Sequence, residues 1–165
     1  MPLRILIVDD HAIVRRMLRV LVETHSGWEV CAEAENGQEA IAELEECNPD
    51  VVIMDMAMPV KDGITASREI SATAPNVPII MHTLHYSPEL ELEAKKAGVR
   101  KVVAKAESGD ALLNAISELL QEDSGARLSQ TGHRSEHPQE ISAMNKQEQK
   151  ETPAGSDRNS RRRGN

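Results

Sequence analysis

Aromatic residues and cysteines are scarce in this chain. Its 165 residues include one Trp, one Tyr and no Phe. A core must therefore be filled by Val, Ile, Leu, Met and Ala, a composition that suits a parallel sheet covered by helices. The two cysteines, Cys31 and Cys47, are too few for a disulfide framework or a zinc site. We interpret them as small buried apolar side chains, because neither lies among basic residues that would activate a thiol.

Long hydrophobic runs are absent as well. No apolar stretch of the sequence approaches the ~20 residues that a membrane-spanning helix needs. The N-terminus becomes acidic at Asp9 and Asp10, directly after its first apolar run, which is not the pattern of a secretory signal peptide. The sequence therefore predicts a cytoplasmic protein without a membrane attachment.

The formal net charge of −8 is unevenly distributed. Residues 1–123 contain 11 basic and 22 acidic side chains, whereas residues 124–165 contain 8 basic and 5 acidic ones. Leu128 and Ile141 are the only Leu or Ile residues of the second segment. Its apolar surface is too small to offset the entropy cost of ordering the chain. We predict one domain over 1–123 and a disordered polar tail over 124–165.

Short aliphatic runs alternate with segments of helical periodicity within residues 1–123. The predicted strands are Leu3–Val8, Trp28–Ala34, Val51–Asp55, Val77–Met81 and Lys101–Ala104. The predicted helices are Ile13–Thr24, Gln38–Cys47, Ile64–Thr73, Glu89–Ala97 and Ala111–Gln121. Five strand–helix units in ~120 residues predict an α/β fold, with a parallel sheet, right-handed crossovers and helices on both faces.

Polar side chains follow most of the predicted strands. The first strand is followed by Asp9 and Asp10, the third ends in Asp55, the fourth is followed by Thr83, and the fifth by Lys105. The carboxyl ends of parallel strands lie along one edge of the sheet, where ligands of α/β proteins bind. Carboxylates that converge there repel one another, and a hard divalent cation such as Mg²⁺ relieves the repulsion. The sequence therefore predicts a magnesium site at this edge.

These residue types suit phosphoryl transfer. A carboxylate beside Mg²⁺ can attack a phosphoryl group and form an acyl phosphate, and Lys105 can stabilise the charge on the transferred oxygens. Thr83 can bond one of those oxygens afterwards. The simpler alternative is that acidic residues after a strand cap the next helix, and Asp10 is a candidate for that role. Capping does not account for Asp9, Asp55 and Lys105 together.

Four segments of the sequence resemble the response-regulator receiver domain. They are Ile-Leu-Ile-Val-Asp-Asp-His at 5–11, Val-Val-Ile-Met-Asp-Met-Ala-Met-Pro-Val-Lys-Asp-Gly at 51–63, Met-His-Thr at 81–83 and Ala-Lys at 104–105. The resemblance covers about residues 3–121. It implies a flavodoxin-like, doubly wound sheet of five parallel strands in the order 2-1-3-4-5.

The resemblance also implies a role for each residue at the edge of the sheet. Asp55 would be the phosphoacceptor, Thr83 the switch hydroxyl, and Lys105 a contact of the phosphate. The implied Mg²⁺ ligands are Asp10, Asp55, the main-chain carbonyl of Ala57 and, through a metal-bound water, Asp9. A sensor histidine kinase or a phosphotransfer protein would supply the phosphoryl group.

Two features depart from the family pattern. Receivers usually have Tyr or Phe three residues before the Lys, where this chain has Val102. The segments 83–85, 95–99 and 112–116 resemble receivers of LuxR-type transcription factors, which carry a C-terminal helix-turn-helix module. The tail at 124–165 lacks the apolar periodicity of such a module.

Three classes of function remain open at this point. We favour a phosphoacceptor module, not a dedicated enzyme, that docks an effector protein or a second copy on a face formed by residues 89–121. A phosphohydrolase would need a second acid two residues after the nucleophile, where this chain has Ala57. A DNA-binding regulator would need a recognition helix or a basic face, supplied here by a missing output domain or another chain. We predict no specific DNA binding by this chain alone.

Overall fold

Five strands alternate with five helices in the described part of the chain, which is residues 1–130 of a computed structural model, with side chains described through residue 122. The strands are β1 Leu3–Val8, β2 Trp28–Ala34, β3 Val51–Met54, β4 Ile79–Thr83 and β5 Lys101–Ala104. The helices are α1 Ala12–Glu23, α2 Gly37–Cys47, α3 Gly63–Thr73, α4 Pro88–Lys96 and α5 Gly109–Gln130. Neighbouring strands pair in parallel in the order β2-β1-β3-β4-β5. The predicted flavodoxin-like α/β fold is confirmed.

Helices cover both faces of the sheet and divide the core into two layers. One layer packs α2, α3 and α4 against side chains such as Leu6, Val52 and Met81. The other layer packs α1 and α5 against the opposite side chains of the same strands, among them Ile7 and Ile53. All four residues of β3 are buried, as expected of a central strand of a parallel sheet that is covered on both faces.

The main difference from the predicted elements is a shift of β4. The sequence predicts a strand over Val77–Met81, but β4 spans Ile79–Thr83. Val77 still belongs to the preceding turn, because its N–H donates to the carbonyl of Ala74 at 3.0 Å, and Pro78 has no N–H for the sheet. The strand instead continues through Thr83, which pairs with Ala104 of β5. Thr83 is therefore the last residue of the strand.

Helix α5 is longer than its predicted range of Ala111–Gln121. It continues to Gln130, so it includes residues 124–130 of the segment predicted to be disordered. Residues 131–165, with the rest of that prediction, lie outside the described residues. Across residues 1–130, no helix has both the length and the apolar character that crossing a membrane requires.

Gly63 begins α3 at a point where the chain lies very close to the end of β3. A Cβ atom built on Gly63 would lie 2.0 Å from the carbonyl oxygen of Asp55, and the N–H of Gly63 donates to the carbonyl of Met56 at 2.8 Å. This contact explains the Gly of the Asp-Gly pair at 62–63. We expect Gly63→Ala to lower the free energy of unfolding by about 3 kcal/mol, measured by urea denaturation.

Gly109→Ala is the matched control, because Gly109 also begins a helix. Its added Cβ would meet the Leu21 side chain at 2.9 Å, and a methyl group at the end of a side chain can move away. We expect this variant to lower the free energy of unfolding by less than about 1 kcal/mol. Equal losses in the two variants would show that the contact with Asp55 does not determine the residue at position 63.

Candidate functional site

The residues that follow the strands are held in place by continued sheet hydrogen bonds. The Asp55 N–H donates to the carbonyl of Val8 at 2.8 Å, and the Asp9 N–H donates to the carbonyl of Ala34 at 3.1 Å. The N–H of Lys105 donates to the carbonyl of Thr83 at 2.7 Å. Each functional side chain therefore starts from a backbone position that the sheet fixes.

Lys105 joins two carboxylates at this edge. Its Nζ lies 2.6 Å from Asp9 Oδ2 and 3.1 Å from Asp55 Oδ2. All three side chains are largely buried: Lys105 is 9% exposed, Asp9 1% and Asp55 6%. The structure thus brings together the residues that directly follow β1, β3 and β5, at positions 9, 55 and 105. We call these three residues the charge cluster.

Burial dominates the protonation behaviour of Asp55. It raises the pKa of this carboxyl above its usual value, and the charge of Asp9 raises the pKa further. The Lys105 ammonium and the Met56 N–H, which donates to Asp55 Oδ1 at 2.8 Å, act in the opposite direction without cancelling the effect. Burial alone would lower the pKa of Lys105, but Asp9 and Asp55 outweigh it and raise this pKa. Two carboxylates with one ammonium leave the cluster short of positive charge.

Asp10 and His11 lie beside the charge cluster. Among the described residues, Asp9, Asp10 and His11 place one oxygen or nitrogen ligand atom each within 4.8 Å of one another. Asp10 Oδ1 is buried and accepts no hydrogen bond, although it lies 2.7 Å from His11 Nδ1. His11, rather than Asp10, is the N-cap residue of α1, and its side chain makes no capping bond. The capping alternative for Asp10 is therefore wrong.

The remaining predicted residues lie around the charge cluster, Ala57 in a loop and Thr83 at the end of β4. Ala57, proposed as a main-chain ligand, lies in the exposed loop after β3. Thr83 is buried, and its Oγ1 accepts a hydrogen bond from the His85 N–H at 3.1 Å. Burial, assisted by the charge of Lys105, lowers the pKa of the neighbouring His82 to about 4, so this ring is neutral at neutral pH.

The sequence interpretation missed Arg15. This residue of α1 is buried, and its Nη1 donates to the main-chain carbonyl of Asp9 at 2.7 Å. Its other nitrogens reach Glu33 at 3.3 Å and Glu35 at 2.8 Å. Arg15 therefore ties the end of β1 to the end of β2. The sequence indicated this role only by a basic residue among the apolar positions of α1. That signal is weak, because helices at protein surfaces carry many basic residues.

Comparison with known proteins identifies the family. The family model described as the response regulator receiver domain matches residues 5–117. The chain belongs to this family. It is 42% identical over 118 residues to the chemotaxis protein CheY of Bacillus subtilis, an alignment that covers 71% of this chain and 97% of CheY. The resemblance to receivers is thereby confirmed over most of the described domain.

Solved receiver structures have the same fold. A LuxR-family two-component response regulator from Aurantimonas sp. SI85-9A1 superposes with a TM-score of 0.71 at 36% identity, covering 74% of this chain and 87% of that one.

The transcriptional regulatory protein YdfI of Bacillus subtilis is 33% identical over 117 residues, which are 71% of this chain and 54% of YdfI. Receivers of this kind are signalling modules, and some of them occur within enzymes, as in the protein-glutamate methylesterase of Alkalilimnicola ehrlichii, which is 40% identical over 106 residues, 64% of this chain and 27% of that protein.

Removal of the Lys105 ammonium should leave two buried carboxylates without their counter-charge. We expect Lys105→Met to lower the free energy of unfolding by about 3 kcal/mol at pH 7. Lys105 holds down the pKa of Asp55, which burial raises, so its removal raises this pKa further in the folded variant. Proton uptake by Asp55 as the pH falls then stabilises the variant more than the wild type. The loss should therefore shrink between pH 7 and pH 5, as measured by urea denaturation at each pH.

Lys101→Met is the control for this variant. Lys101 also lies in β5, but it pairs with the exposed Glu118. An exposed ion pair contributes little to stability. We therefore expect Lys101→Met to lower the free energy of unfolding by less than about 1 kcal/mol, with no change between pH 7 and pH 5. A Lys105→Met loss that is equally small, or that grows as the pH falls, would contradict the role of Lys105 as counter-charge.

Proposed function

We propose that this receiver domain is phosphorylated on Asp55 in the presence of Mg²⁺ and signals through protein contacts that depend on phosphorylation. The observation that supports this most directly is the buried Asp55 carboxylate, whose Oδ2 lies 3.1 Å from Lys105 Nζ. In the reaction, a carboxylate oxygen of Asp55 forms a bond to phosphorus while the bond to the donor's leaving group breaks. Lys105 stabilises the negative charge on the transferred oxygens.

The donor set fits a magnesium ion. Carboxylate and carbonyl oxygens are the ligands that Mg²⁺ prefers, and Asp10 Oδ1 is a buried oxygen whose one close contact among the described residues is His11 Nδ1 at 2.7 Å. We propose Asp10, Asp55 and the Ala57 main-chain carbonyl as direct ligands, with Asp9 acting through water. When bound, Mg²⁺ supplies positive charge for the transferring phosphoryl oxygens. The excess of carboxylates over ammonium groups in the charge cluster supports the same assignment.

In this proposal, Thr83 links phosphorylation of Asp55 to the loop that follows β4. Its Oγ1 accepts from the His85 N–H, so its O–H can donate to a phosphoryl oxygen on Asp55. Movement of Thr83 would displace the loop at 84–87. That loop is joined to α4, because Tyr86 donates its O–H to Glu91 Oε2 at 2.5 Å. We propose that this chain of contacts carries the signal to α4.

Val102 occupies the position at which receivers usually have the aromatic residue of their switch. It is partly buried and packs against the core layer of α2, α3 and α4. A β-branched side chain has one strongly preferred rotamer and cannot sweep the volume that an aromatic ring does. We therefore propose that Tyr86 and the loop at 84–87 supply the moving bulk in this receiver.

The proposed docking face comprises α4, β5 and α5, within residues 89–121. Leu84, Tyr86 and Leu92, on or beside α4, are large apolar side chains that are at least half exposed. Exposed apolar side chains of this size are typical of contact surfaces. A histidine kinase or a phosphotransfer protein is the proposed donor, and an effector protein or a second copy the proposed partner. The acidic charge of residues 1–123 makes direct binding to DNA unfavourable.

Phosphorylation can be tested with a small-molecule donor. We expect acetyl phosphate and Mg²⁺ to add one phosphoryl group to the 165-residue chain, measured by intact mass. Asp55→Asn should remove this incorporation, because an amide oxygen is a poor nucleophile, and excess chelator should suppress it. Asp110→Asn is the control, since Asp110 lies in the first turn of α5 and is exposed. Full incorporation in Asp55→Asn, or in the presence of the chelator, would disprove the proposed site.

The proposed signal route can be tested by hydrogen exchange. In the wild type, phosphorylation should change the exchange rates of amides in residues 84–96. Thr83→Ala should still be phosphorylated but should lose this change, whereas Thr83→Ser retains the hydroxyl and should keep it. Val102→Ala should also keep the change. Loss of the response in Val102→Ala, with retention in Thr83→Ala, would place the switch at Val102 instead.

A further inference from the structure

Cys31 and Cys47 lie in direct contact, far along the chain from each other. Cys31 is in the edge strand β2 and Cys47 is the last residue of α2. Their Sγ atoms are 2.7 Å apart, and neither cysteine is in a disulfide. A disulfide bond is about 2.05 Å long, so only a small approach separates these thiols from bonding distance. The interpretation of two separate buried apolar side chains does not account for this contact.

Cys31 lies at a bulge in β2 and packs in the layer that contains α2. In the pairing of β1 with β2, Ile5 lies opposite Val30 and the next residue, Leu6, lies opposite Ala32. Cys31 is therefore the extra residue of the bulge, and a one-residue shift exchanges the two faces of a strand. Val30 accordingly packs in the layer of α1 and α5, whereas Cys31 and Ala34 pack in the layer that contains α2.

Cys47 is held firmly from the other side. It is buried, and its main-chain carbonyl accepts a hydrogen bond from Arg4 Nε at 3.0 Å. Arg4 belongs to β1, so this bond ties the end of α2 to the sheet. The next residue, Asn48, ends the helix with a positive φ of 44°. Both cysteines are thus fixed by backbone contacts that do not depend on the thiols.

We propose that Cys31 and Cys47 are an oxidation site, at which hydrogen peroxide as the oxidant converts the two thiols into an internal disulfide. In the first step, the Cys31 sulfur attacks the peroxide, the O–O bond breaks, and Cys31 sulfenic acid and water are formed. In the second step, the Cys47 sulfur attacks the sulfenic sulfur and a second water leaves. Two thiols lose two hydrogens and two electrons in total, and the peroxide accepts them.

The environments of the two thiols assign this order. Cys31 is partly exposed, whereas Cys47 is buried, so a dissolved oxidant reaches Cys31 first. Burial raises the pKa of the Cys47 thiol to about 12, and its hydrogen bond with Cys31 contributes in the same direction. A thiol with a raised pKa reacts slowly with a peroxide, so Cys47 is not the first of the two to be oxidised. Its contact with Cys31 makes it the resolving cysteine.

The disulfide would link the edge strand to α2 without moving either element far. It would close a loop between positions 31 and 47, and such a closure restricts the unfolded chain more than the folded one. The expected consequence is a redox-dependent stability of this side of the domain. The proposal does not depend on phosphorylation of Asp55.

The test uses the 165-residue chain treated with hydrogen peroxide. We expect the monomer to lose two hydrogens by intact mass and both maleimide-reactive thiols, and to yield a peptide pair linked between Cys31 and Cys47. The midpoint of thermal unfolding should rise by about 5 °C or more. Dithiothreitol should reverse all of these changes.

Cys31→Ser and Cys47→Ser are the matched controls. Neither variant should form the linked peptides or show the rise in the unfolding midpoint, and Cys47→Ser should instead accumulate oxygen on Cys31. The proposal would be overturned if the oxidised wild type kept both thiols, gained oxygen without the cross-link, or formed only disulfides between molecules. A midpoint rise of equal size in Cys31→Ser would also overturn it.

Discussion

One buried ammonium group holds the candidate site together. Lys105 contacts the carboxylates of both Asp9 and Asp55, which are almost fully buried. Burying charges is costly unless they are paired, so the sheet must place the ends of β1, β3 and β5 accurately enough for all three side chains to meet. The close contact of Gly63 with the carbonyl of Asp55 and the bond of Arg15 to the carbonyl of Asp9 serve the same placement. Much of the backbone around the site is therefore positioned so that Lys105 can contact both carboxylates.

The sequence was sufficient to predict the sheet, its helices and the charged residues at its edge. This succeeded because buried parallel strands are continuous aliphatic runs, and the residue that follows such a run must lie at the carboxyl edge. The position of β4 was wrong by two residues, because both Val77 and Thr83 are compatible with a strand, and hydrogen bonding rather than residue type separates them. Strand ends decided by single hydrogen bonds are not visible in a pattern of apolar residues.

Contacts between residues distant in the sequence were harder to predict. The Cys31–Cys47 contact joins β2 to the end of α2 beside a bulge in that strand, and nothing in the alternation of residues 28–34 indicates where the extra residue of the bulge lies. Arg15 was missed because its function depends on burial, whereas an arginine on a helix is usually exposed. In both cases the deciding information is the register of a strand or the depth of a side chain. Both quantities are set by the whole sheet and not by the local sequence.

Close packing of the core limits how the domain could respond to a new charge at Asp55. The residues of β3 are completely buried in a close-packed core, so a new charge beside them cannot be accommodated by rearranging that strand. The compliant part is the loop at 84–87, which carries exposed side chains and is joined to the core by the buried Thr83. Tyr86 then links the loop to α4 through Glu91. Because Val102 stands in place of an aromatic ring, we propose that this connection, rather than a side chain at position 102, carries a change at Asp55 to the surface of the domain.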